Sequence, residues 1–214
     1  YIANVRTVFD YFYPGVLPGD ALNMPVELNL ITQVIIPVQT AIMTNPTGAG
    51  MMARIAQTPV PFANGPELVQ SIITAIAFDA RGADDLLDRT HGHSPFFNND
   101  SLYYTGALPA SILAGLNAGA DHFDQTPDAA QYLQKHYQTT GELRIPVMSI
   151  HTTRDPVVPY FHETSYKARV DSTGSGQLLA QRSFTRYGHC TFTVPEMTSA
   201  FRDLAAWVET GNRP

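Results

Sequence analysis

Asp155 and His189 are the side chains whose type and placement could do chemistry in this sequence. One is an acid in Arg154-Asp155-Pro156, the other a base in Gly188-His189-Cys190. A hydroxyl is a weak nucleophile until a neighbouring imidazole takes its proton. That imidazole needs a carboxylate on its other nitrogen, to fix the tautomer and stabilise the imidazolium. Asp155 follows an apolar run, Leu143 to His151, suited to a buried strand. Pro156 removes a backbone donor and holds Asp155 away from helical geometry. His189 follows a second strand pattern, Leu178 to Tyr187, and Gly188 allows a sharp turn before it. A carboxylate just past the end of a buried strand is where open α/β sheets place their chemistry. Taken singly, an Asp-Pro starts turns and a histidine after a strand is usually structural. Taken in order, strand, Asp, helix, strand, His is the back half of a Ser…Asp…His relay.

On these motifs, residues 143–214 resemble the last two strand–helix units of an α/β-hydrolase. The nearest likeness is to bacterial esterase- or peptidase-like serine hydrolases with a helical cap. The resemblance covers roughly a third of the chain. It implies Asp155 of His-Thr-Thr-Arg-Asp-Pro-Val-Val-Pro as the acid and His189 of Arg-Tyr-Gly-His-Cys as the base. It also implies a small-molecule ester substrate, with a peptide bond as the lesser option, and no cofactor; the abundant Met, Phe and Tyr imply an apolar acyl or aromatic group. The sequence departs from the family at the nucleophile. No Gly-x-Ser-x-Gly occurs, and Gly174-Ser175-Gly176 lies between acid and base, out of order. The expectation is therefore the C-terminal part of such an enzyme, inactive alone. The elbow serine, the oxyanion donors and the earlier strands would lie in a missing N-terminal segment or a separate chain of the same precursor. An opening at Tyr1 without Met fits that expectation. Two other readings stay open. One is an α/β-hydrolase with an Asp nucleophile. The other is a non-catalytic binding protein that kept the fold.

The expected fold class is α/β, the C-terminal portion of an α/β-hydrolase sheet with a mostly helical cap. Residues 1–142 form the cap and 143–214 the end of the core, with the pattern changing near Gly141. A helix from Tyr160 to Val170 joins the two strands. Thr193-x-x-Glu196 is a capping box for a last helix. Met197, Phe201, Leu204, Ala205 and Val208 give that helix an apolar face to cover the sheet, and Gly211 ends it. In the cap, Phe9, Tyr11, Phe12 and Tyr13 read as core packing. Pro25 starts a helix that Pro37 kinks or ends. Asn45-Pro46-Thr47-Gly48 is a turn before a short Met51–Ala56 helix. Asn64-Gly65-Pro66-Glu67 opens a helix whose Leu68, Val69, Ile72, Ile73 and Ile76 are apolar nearly all round. Further helices start at Pro109 and Thr126-Pro127, the last stopping at Gly141.

Composition narrows the partners. A net charge of −6 with 13 scattered basic residues excludes a nucleic-acid backbone binder. No apolar run is long enough to span a membrane. The single cysteine, Cys190, makes no internal disulfide and reads as a buried structural thiol. Asp79, Asp84, Asp85, Asp88, His91 and His93 are metal-capable, but their spacing follows neither zinc nor calcium templates. Asp84 and Asp85 suit the first turn of a helix. No metal is expected. His151 could support Asp155, His162 reads as exposed, and His122 and His136 show no partner.

Overall fold

The computed structural model describes residues 1–25, 27–59, 65–99 and 108–214. The fold is mixed α/β, with helices and one two-stranded parallel sheet. The chain divides into two compact units, Tyr1–Gln138 and Thr139–Pro214.

The first unit is helical among its described residues. Helix α1, Ile2–Phe12, was not foreseen from the sequence, although Val5, Val8 and Phe9 follow helical spacing and are fully buried. Phe9 and Tyr13 stack with ring centroids 4.8 Å apart and join the core, as expected of the aromatic cluster. The helix expected from Pro25 begins later, at a wide π turn, Ile31–Ile35, that runs into α2, Ile36–Thr44. Asn29 sets that start, its side chain accepting from the N–H groups of Ile31 and Thr32, each at 3.1 Å. Pro37 therefore lies just after the π turn, inside a continuous helical run that it does not end. Asn45-Pro46 likewise starts a helix, α3, Pro46–Ile55, with the Asn45 side chain accepting from Gly48 N–H at 3.0 Å.

The longest element is α4, Gly65–Arg89, whose buried residues include Ile72, Ile73, Ile76 and Asp79. The expected opening residue Asn64 lies outside the described residues. Asp84 and Asp85 sit near the C-terminal end of α4 and not in a first turn, and Asp85 pairs with Arg89 at 2.8 Å. Helix α5 is Ala110–Gly119 and α6 is Pro127–His136, capped by Thr126. Gly141 lies beyond the end of α6. Its positive φ of 80° and the closeness of the Arg169 carbonyl leave no room for a side chain.

The second unit alternates strand and helix: β1 Val147–Arg154, α7 Phe161–Ser172, β2 Leu179–Tyr187 and α8 Val194–Thr210. β1 and β2 pair in parallel, from Val147 opposite Leu179 to Arg154 opposite Tyr187, with an irregularity between Thr152 and Arg154. Parallel neighbours need a crossover, which α7 supplies. Both strands thus end on the same side. Helix α8 carries the full capping box, and Gly211 ends it in the left-handed conformation. Its buried face is shifted from the expected one, of which Leu204 and Ala205 are half-buried. Ala200 and Trp207 are buried, while Met197, Phe201 and Val208 are exposed. Periodicity showed that the helix has an apolar stripe, but a second, narrower stripe faces inward.

Candidate active site

Asp155 leaves the end of β1 and is 2% exposed. Its Oδ1 accepts from the backbone N–H groups of Val157 at 2.8 Å and Val158 at 3.0 Å. Those bonds close a tight turn after Pro156 and fix the carboxylate plane. The other oxygen, Oδ2, lies 2.7 Å from His189 Nδ1. The two side chains singled out from the sequence are thus brought into hydrogen-bond contact. A carboxylate on Nδ1 keeps the proton there and leaves the Nε2 lone pair facing away. The His189 side chain is 45% exposed, so that lone pair is approachable.

The loop that holds His189 is tied at both ends. Gly188 adopts φ 112°, and a side chain there would meet Thr191. Gly188 N–H donates to Arg154 carbonyl at 3.1 Å, and buried Thr152 Oγ1 donates to Gly188 carbonyl at 2.5 Å. β1 therefore holds the base loop as well as the acid. On the far side, Arg186 donates to Thr191 carbonyl at 2.6 Å and pairs with Glu196. Glu196 also accepts from Thr193 N–H at 2.8 Å. That backbone bond, with Arg186 beside it, holds the Glu196 carboxyl below its ordinary range. Thr152 was missed in the sequence. Its only signal was a threonine three residues before Asp155 in the same strand pattern.

Cys190 departs from expectation. It is exposed, not buried. It adopts φ 53°, an uncommon value for a side-chain-bearing residue, and its Sγ lies 3.5 Å from His189 Nε2. The left-handed backbone turns two adjacent side chains toward each other, which ordinary strand or helix geometry does not do.

His151 Nε2 is 4.0 Å from Asp155 Oδ2, too far for a hydrogen bond, and its Nδ1 is used by Thr152 carbonyl at 2.8 Å. His162 is exposed on α7. His122, expected without a partner, bonds the carbonyls of Asn98 and Asn117 at 3.3 and 2.8 Å. Ser149 donates to Glu163 at 2.6 Å, and Ser175 is bonded to Leu143 N–H at 3.2 Å. Among the described residues, no serine hydroxyl is hydrogen-bonded to His189. Also among them, no group of three or more His, Cys, Asp or Glu is gathered as metal ligands, and no helix is long and apolar enough to cross a membrane.

No family model matches the chain, and no solved structure matches it. Among curated proteins, an o-phthalyl amidase of Xanthobacter agilis is 25% identical over 92 residues, which is 41% of this chain and 20% of that relative. The matched stretch spans about a fifth of the relative's length. At this coarse level the similarity hints at a hydrolase.

Proposed function

We propose that Asp155 and His189 are the acid and base of a serine hydrolase that cleaves esters with an apolar acyl or aromatic group. The nucleophilic serine lies in a segment outside these 214 residues. Residues 143–214 form the end of an α/β-hydrolase core and 1–142 its helical cap. His189 Nε2 takes the serine proton as the oxygen attacks the acyl carbon, then gives that proton to the departing alcohol. Water repeats the cycle and releases the acid. Asp155 holds Nδ1–H and stabilises the imidazolium. The observation that carries this reading is the 2.7 Å contact between Asp155 Oδ2 and His189 Nδ1, on a carboxylate whose other oxygen is already fixed by two backbone donors. An amide is the second bond to try, because the curated relative is an amidase. The relay asks for no cofactor.

The test is labelling by a fluorophosphonate probe of the longest natural form of the protein. Labelling should fall on a serine outside these residues and vanish in His189→Ala. Labelling of a serine within residues 1–214 would overturn the assignment. The absence of labelling and turnover in the complete protein would favour a binding role.

One observation favours a second reading. Cys190 Sγ lies where a nucleophile's proton would be handed to Nε2. A Cys-His-Asp relay within this unit would be inactivated by iodoacetamide and by Cys190→Ala, with the serine probe inert.

A further inference from the structure

The first unit buries a carboxyl that its own fold leaves unpaired. Asp79 lies midway along α4 and is 1% exposed. Among the described residues, neither of its carboxyl oxygens has a hydrogen-bond partner. Asp79 lines a cavity of about 180 Å³ whose other walls are Tyr1 and apolar residues, chiefly Ile2, Ala3, Leu22, Leu86 and Phe96. An apolar cavity with one or two placed polar groups is the usual form of a small-molecule site.

Two cationic groups lie near the carboxyl: the Tyr1 amino group, whose charge burial disfavours, and Arg6. The Arg6 guanidinium is committed to Asp10 at 2.7 Å and to the carbonyls of Pro18 and Gly19, each at 2.9 Å. An unpaired carboxylate in apolar surroundings is costly, so the group keeps its proton or finds a cation. An anion would be repelled. A neutral acceptor would use the single O–H and leave the second oxygen bare. An ammonium has three donors and reaches both oxygens. A cavity of about 150 Å³ is known to accept one benzene ring, which sets the size of the ligand's body.

We infer that this cavity binds a small apolar primary amine, its ammonium on the Asp79 carboxylate and its alkyl or aryl body against Ile2, Leu22, Leu86 and Phe96. The site lies wholly in the first unit. Burial pushes the Asp79 carboxyl up to about 8, with Arg6 opposing and Asp10 adding to the shift. The amine needs the ionised form, so the Asp79 proton leaves for solvent on binding. Other charged groups face Asp79 from α1 and the loop after it. They are Arg6, Asp10, the Tyr1 amino group and Asp20. The π turn and α2 carry no charged residue, and the one on α3, Arg54, is exposed.

Calorimetric titration with benzylamine and with benzyl alcohol at pH 6, 7 and 8 tests this. Benzylamine should bind with a Kd that falls about tenfold from pH 6 to 7 and less from 7 to 8, as the competent fraction saturates. Benzyl alcohol should bind at least about tenfold more weakly, with no pH trend. Asp79→Asn should lose benzylamine and its pH trend while keeping the weak alcohol binding. Ala83→Leu, which fills the cavity, should lose both. Equal binding of amine and alcohol, unchanged amine binding by Asp79→Asn, or no amine binding at any pH would overturn the inference. Should Asp79→Asn fail to fold, the pH comparison on the unaltered protein decides it alone.

Discussion

Asp79→Asn should raise stability, and by an amount set by pH. The Asp79 carboxyl moves from an ordinary value of 3.8 to about 8 on folding, chiefly through burial. Between those values the unfolded chain is ionised at this site and the folded chain is protonated. Folding then takes up a proton, and each pH unit weakens the native state by about 1.4 kcal/mol. The sign follows from a raised acid pKa. Native stability is fully present below the unfolded value and is lost as pH rises toward the folded one. At pH 7 the accumulated loss is on the order of 4 kcal/mol. Asn has the same shape and does not titrate, so the loss disappears. Its amide is left without partners in the same cavity, a pH-independent penalty of about 1–3 kcal/mol. The slope is therefore the diagnostic. Urea denaturation of both proteins from pH 4 to 9 should give a stability difference that climbs by about 1.4 kcal/mol per unit through pH 5–7 and levels above 8. A difference flat over pH 5–7 would refute the reasoning, because Asp79 would then have a partner that keeps it ionised.

Three further outcomes are expected. Thr152→Val removes the donor on Gly188 carbonyl while keeping the side chain's shape, so it should cost about 1–3 kcal/mol in denaturation. It should also lower kcat more than KM, because the His189 loop loses its tie to β1. Equal kcat would remove Thr152 from the site. Carboxamidomethylation of exposed Cys190, followed by intact mass, should block Nε2 and abolish hydrolysis by the complete enzyme, and Cys190→Ala should resist the reagent. Retained activity after full modification would mean that the thiol swings clear of the imidazole. Thr193→Ala breaks the capping box of α8 and should lower stability by about 1 kcal/mol, read as a shift in the urea midpoint at constant slope.

The second unit was the readable part of the sequence. Its strands are short apolar runs, its turns carry Asp-Pro and Gly-His, and its last helix opens with a full capping box. Each signal is local, so tertiary context had little to override. The dyad was legible for the same reason: parallel neighbours joined by one helix bring their ends together. What was misread depends on contacts that sequence does not display. The stripe of Met197, Phe201 and Val208 has helical spacing, but spacing cannot say which stripe a helix buries. Cys190 was expected inside because free cysteine usually is, and only its left-handed backbone brings the thiol out beside His189. Helix α1 was hidden by the Pro and Gly turns that follow it. Asp79 drew attention as a metal candidate among neighbours that turned out to lie along one helix and its exit.

The parallel pairing of β1 and β2 has a consequence for how such a site can change. Asp155 and His189 leave from the same end of the pair, and the connection through α7 runs from that end of β1 to the opposite end of β2. The distance between Asp155 and His189 is set by strand register together with the first turn of the crossover, where the Val157 and Val158 N–H groups hold the Asp155 carboxylate. The face of α7 that points to solvent can drift, accept charges or gain a binding motif without moving either side chain. The solvent face of α7 and the Asp155–His189 pair are thus open to alteration separately.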